Sequence, residues 1–102
     1  MPTYKFVESA QTDLSEIITY TLEKWGIDQA SIYIDGLEVL AQSLADTPKI
    51  GKACNNLSEG LRAFPFQSHI LYYLEEPHGI TIVRVLHKNM APKLHFEDMN
   101  RA

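Results

Sequence analysis

The chain has 102 residues, 45% of them hydrophobic and 22% charged, with a formal charge of −4. That length suits one domain with one core, and the composition is too apolar for a disordered chain. No apolar run approaches the roughly 20 residues that span a bilayer. The start, Met1-Pro2-Thr3-Tyr4-Lys5, lacks the basic and apolar segments of a secretory leader, so a cytoplasmic location is expected. Cys54 stands alone, without a partner for an internal disulfide, which agrees with a reducing compartment.

Charge is distributed unevenly. Met1 to Asp46 carries eight acids against two bases, whereas Thr47 onward carries five acids against seven bases. A chain that grips a long nucleic-acid duplex by itself is more often basic overall. The mildly basic half suits an acidic partner.

Thr3 to Val7 reads as a short strand through Tyr4, Phe6 and Val7. Ser9 is placed to cap a helix, with Asp13 and Glu16 in its early turns. Ala10, Leu14, Ile17, Ile18, Thr21 and Trp25 recur at helical spacing and form one apolar stripe. Gly26 breaks that helix. Asp28 is placed to cap a second, whose stripe is Ala30, Tyr33, Ile34, Leu37, Leu40, Ala41 and Leu44, ended by Asp46-Thr47-Pro48. The join is so short that the helices must form an antiparallel hairpin.

The polar segment Lys49 to Gly60 predicts an irregular loop. Three strands follow: Leu61 to Phe66, interrupted by Pro65, then Ser68 to Leu74, then Gly79 to Met90. Ala91 to Phe96 predicts a turn or a single helical turn, and the polar tail from Glu97 is expected to fray. The fold class is therefore α+β: an N-terminal strand, an antiparallel two-helix hairpin and a three-stranded antiparallel meander, with the helices on one sheet face. The opposite face has no helical layer. It must be covered by the C-terminal segment or by another chain.

The strand from Gly79 is dense in branched residues. Simple alternation puts Ile80, Ile82, Arg84 and Leu86 on one face and Thr81, Val83, Val85 and His87 on the other. Arginine is rarely buried unpaired. Arg84 therefore needs an acid inside the protein, for which Asp35 and Glu38 are candidates, or its head emerges at a binding surface.

Several fragments in fixed order resemble the ParE toxins of the RelE/ParE superfamily. They are Ala10-x-x-Asp13-Leu14-x-x-Ile17-x-x-Tyr20 leading to Trp25-Gly26, Ala30-x-x-Tyr33-x-x-x-Leu37, and Gly60-Leu61-Arg62-x-Phe64 leading to His69, Tyr72 and Tyr73. The most specific is Gly79-Ile80-x-Ile82-x-Arg84-Val85-Leu86-His87-x-x-Met90. The resemblance runs from Tyr4 to about Phe96. It implies a toxin that inhibits DNA gyrase, no catalysis and no cofactor, and neutralisation by a ParD-like antitoxin in a hetero-oligomer. Contact with DNA is implied only through that antitoxin, and none with a membrane. One departure is Ala91, where the family often has Asp; it leaves this end of the chain more basic.

The RelE-like branch of the superfamily cleaves mRNA, and there Arg62 and His87 are the candidate catalytic pair, with Glu59 as base. On the gyrase side, His87, Lys88, Met90 and Lys93, just past the last strand, are the candidate target-binding residues. Tyr72 and Tyr73 point to opposite sheet faces. One of them should meet the uncovered side, so Tyr72, Tyr73 and Arg62 are the candidate antitoxin-binding residues. Arg84, Trp25 and Tyr33 are assigned structural roles, the last two locking the helix hairpin. His69, His87 and His95 lack a zinc-ligand spacing, and no metal site is expected.

Overall fold

Residues 1–96 are described by the structure, a computed structural model, and the tail expected to fray lies outside them. Strand β1 is Thr3–Phe6, followed by helices α1, Glu8–Trp25, and α2, Ile27–Asp46. Only Gly26 separates the helices, and its φ of 91° is accessible to glycine at little cost. Neither expected side-chain cap forms. Val7 precedes α1 and Gly26 precedes α2, so Ser9 and Asp28 lie inside their helices.

The apolar stripes behave as their spacing predicts. Ala10 of α1 and Tyr33, Leu37, Ala41 and Leu44 of α2 are buried against Leu71, Tyr73, Ile80, Ile82 and Val85 of the sheet. Trp25 is the exception: it is 64% exposed and does not lock the hairpin. It stands in the last residue of α1, past the end of the stripe's contact with the sheet.

The segment expected to be irregular is more ordered than its composition suggests. Pro48–Ile50 forms a single 3₁₀ turn and Lys52–Ala53 forms strand β2. Strands β3, Leu61–Phe66, β4, His69–Glu76, and β5, Gly79–His87, make the antiparallel meander. The five-stranded sheet has the order β1-β5-β4-β3-β2, with β1 parallel to β5. Gly79 sits where the two strands meet. At its φ of 140° a Cβ would run into the Thr3 carbonyl, so no other residue fits without moving β1.

Alternation along β5 does not run through. Tyr72 opposes Arg84 but Tyr73 opposes Ile82, so Val83 is an extra residue and the strand bulges there. Before the bulge Ile80 and Ile82 face the helices. After it Val85 does, while Val83 and Leu86 go to the other face. The face expected for Leu86 and Val85 is thus reversed.

The face without helices is covered by the chain itself. Helix α3, Pro92–Phe96, brings Phe96 onto Tyr72, with ring centroids 4.9 Å apart, and Leu57, Leu61, Val83 and Leu86 complete this second cluster. Tyr72 is only 4% exposed there. Of the two coverings left open by the sequence, the C-terminal segment is the one observed.

Candidate partner-binding groove

Beyond Ile82 strand β5 loses its neighbour on the β1 side. The β1 ladder ends at Phe6 opposite Ile82, with one further bond from Val7 N to Ile82 O. The chain then turns into α1, which crosses β5. Asp13 of α1 takes over where the strand stops. Its carboxylate accepts from Arg84 Nε at 2.7 Å and Arg84 Nη2 at 2.8 Å, and from the Val85 backbone N at 3.0 Å. A bidentate carboxylate–guanidinium pair is among the stronger polar contacts in proteins. The bond from Asp13 holds the Arg84 guanidinium above its ordinary value, although burial works against it. Asp35 and Glu38, the partners expected from the sequence, are exposed on α2. Asp13 was legible as an acid on the buried stripe of α1, three residues after Ala10 and four before Ile17.

Between this ion pair, the helices and the end of β5 lies an open groove of about 690 Å³. Ile17, Tyr20 and Trp25 of α1 form one wall, and Leu86, His87 and Met90 form the other. Tyr33 and His69 lie at its inner end. Its outer lip is apolar: Tyr20, Trp25 and Met90 line it and are all exposed. Lys24 lies 5.3 Å from the Trp25 ring and bonds Tyr20 Oη at 3.0 Å, which orders the lip.

Tyr33 joins α2 to the sheet rather than one helix to the other. Its ring packs edge-on against Phe66, and its hydroxyl lies 3.2 Å from His69 Nδ1. Burial pushes the Tyr33 phenol up to about 12, so it stays neutral at physiological pH. His69 stands directly opposite His87 in the ladder, with the rings 5.6 Å apart. Burial, and then the charge of His87, push the His69 imidazole below its ordinary value.

The residues expected to meet a partner divide into two groups. Tyr72 lies beneath Phe96, and the buried Tyr73 donates from Oη to Pro48 O at 2.6 Å. Arg62 donates from Nη1 to Gly51 O at 2.7 Å. All three brace the chain internally and do not form the free surface expected of them. Lys88, Met90 and Lys93 are exposed, and His87 and Met90 line the groove.

The nuclease pair does not assemble. Arg62 is in register with Tyr73 and His87 with His69, two strands over and four residues along β4, while Glu59 is exposed on the loop before β3. Among the described residues no group of three or more His, Cys, Asp or Glu side chains is arranged to hold a metal ion. No described helix is long and apolar enough to cross a membrane.

Comparison with known proteins agrees with the arrangement. The family model "ParE toxin of type II toxin-antitoxin system, parDE" matches residues 4–92. Toxin ParE1 of Mycobacterium tuberculosis is 39% identical over 88 residues, covering 85% of this chain and 90% of that one. Toxin ParE1 of Caulobacter vibrioides is 33% identical over 95 residues, covering 93% and 98%. A chain of the solved "Chromosomal ParDE TA system from P. aeruginosa" shares the fold, with a TM-score of 0.70 at 17% identity, covering 85% of this chain and 96% of that one. Asp13, Tyr20 and Arg84, which build the groove, all stand in motifs of the resemblance drawn from the sequence. This chain belongs to the ParE toxin family of type II toxin–antitoxin systems.

Proposed function

We propose that this toxin inhibits DNA gyrase by binding, without catalysis of its own, and that a ParD-like antitoxin neutralises it from the groove beside β5. The groove itself supports the docking: it is a concave surface with an exposed apolar lip, on a chain whose opposite sheet face is already closed. An amphipathic antitoxin helix fits such a groove. The excess of acids over bases before Thr47 favours basic residues on its flanks.

The gyrase-facing end is the exit of β5. Lys88 and Lys93 are exposed there, and Met90 and His87 are shared with the groove. An antitoxin seated in the groove covers those two residues, so neutralisation is steric masking. The toxin acts in the cytoplasm, and its contact with operator DNA runs through the antitoxin.

Supercoiling by purified gyrase tests this. Added toxin should leave cleaved DNA, and an equimolar ParD-like antitoxin should restore supercoiling. The double variant Lys88→Glu, Lys93→Glu should keep its fold and lose inhibition on the order of tenfold, as expected for charges at the rim of an interface. Growth arrest on induction while gyrase runs at full rate would overturn the target. A matched assay on ribosome-programmed mRNA identifies the nuclease alternative.

A further inference from the structure

The inner end of the groove holds polar chemistry that an apolar occupant leaves unused. Tyr33, His69 and His87 meet there from three elements, α2, β4 and β5. Each imidazole is held through Nδ1. His87 Nδ1 lies 3.1 Å from the backbone N of Asn89, which can only donate, so this nitrogen carries no proton. His69 Nδ1 faces the Tyr33 hydroxyl, which can donate or accept. Neither Nε2 has a hydrogen-bond partner among the described residues, and both rings line the groove.

The two histidines therefore differ in what a proton does to them. A proton on His87 Nδ1 would face the Asn89 N–H, another donor, and cost that hydrogen bond. Protonation of His69 needs only that the Tyr33 hydroxyl turn from donor to acceptor. His69 can hold a charge with both nitrogens satisfied, provided an anion meets Nε2.

We infer that His69 Nε2 is a carboxylate-binding site, filled by an acidic side chain of the antitoxin, and that His69 takes up a proton when the antitoxin docks. The assignment rests on antitoxin docking in the groove. In the free toxin His69 is neutral at pH 7, because burial disfavours its charge. In the complex the imidazolium keeps both protons, its Nδ1–H donating to Tyr33 Oη and its Nε2–H to the carboxylate. The surrounding charges do not supply that anion. Asp13 is committed to Arg84, Glu16 lines the groove but is exposed to solvent, and Lys24, the other charged lining residue, is basic. The partner chemistry is thus specified at both ends of the groove: basic flanks toward the acidic helices and one buried acid toward His69.

Calorimetry of the full-length toxin with its ParD-like antitoxin, in buffers of different ionisation enthalpy at pH 7.4, tests the assignment. The wild type should take up close to one proton, and affinity should rise as pH falls from 8 to 7, by at most about tenfold per unit for a single linked proton. His69→Gln should bind with no proton uptake and a flat pH profile. His87→Gln should retain the uptake. Tight binding with no proton uptake by the wild type overturns the carboxylate site and leaves groove docking in place. Antitoxin binding that is unchanged in Tyr20→Asp places the antitoxin elsewhere and overturns both. Self-association of the toxin at the same concentrations, with no binding of antitoxin, puts a second copy in the groove and also overturns the assignment.

Discussion

The two halves of β5 are stabilised by different means. From Gly79 to Ile82 the strand has β1 on one side and β4 on the other, and its side chains are buried. From Val83 to His87 it has β4 alone, a bulge, and one carboxylate in place of a neighbouring strand. The first half is fixed by backbone pairing over several residues. On the side that β1 leaves open, the second is held by a single side chain from α1. This is why the groove opens beside the second half: a strand continuing β1 would fill it. The groove exists because a ladder was replaced by a point contact.

Breaking the first half should cost most. Gly79→Val adds a Cβ into the Thr3 carbonyl at a φ of 140°, and should destabilise the protein by about 4 kcal/mol through backbone strain and overpacking. Chemical denaturation gives the value. A cost below 1 kcal/mol, on the order of a surface substitution, would mean that β1 is not held tightly against β5.

Breaking the second half should cost somewhat less. Asp13→Ala strands a half-buried guanidinium and the Val85 N–H, for a loss of about 3 kcal/mol. Asp13→Asn keeps an acceptor for Val85 and should lose about half as much. Adding Arg84→Met to Asp13→Ala should recover part of the loss, because the unpaired charge is gone. Strict additivity of the two single changes would show that the pair is not coupled.

The smallest effect separates the ends of the second half. His69 has a lowered value in the folded state, so below about 6.5 the unfolded chain binds more protons than the folded one. Stability should therefore fall as pH drops through that value. The sign follows from linkage: a group kept neutral by the fold favours unfolding once the solvent can protonate it. His69→Gln should flatten this part of the stability profile, while Asp13→Asn leaves the contribution of His69 in place. Equal slopes for wild type and His69→Gln between pH 6.5 and 5.5 would show that His69 is protonated without cost.

Periodicity made the helices and the meander legible, because each stripe follows from local spacing. The stripes of α1 and α2 and the antiparallel order of β3, β4 and β5 could be read directly. What failed was set by non-local pairing. The one-residue bulge at Val83 reversed the faces of Val85 and Leu86, and alternation carries no mark of such an insertion. The parallel pairing of β1 with β5 joins residues 76 positions apart, such as Thr3 and Gly79, and has no local signature. The assignment of Tyr72 to a partner failed for a related reason. An apolar face can be counted from sequence, but what covers it cannot, and here Phe96 does. Arg84 was correctly read as needing an acid, yet the acid was sought on α2. Trp25 was placed in the hairpin by its spacing, although a stripe predicts burial only as far as its helix stays over the sheet.

The contact between Asp13 and Arg84 spans 71 residues, from the first helix to the last strand. The groove therefore has no existence while the chain is being made. A ribosome that stalls or terminates before β5 releases two helices with an open apolar face, a substrate for proteolysis, and nothing that an antitoxin in this groove would recognise. Truncation at any point before the last strand leaves the groove without its β5 wall.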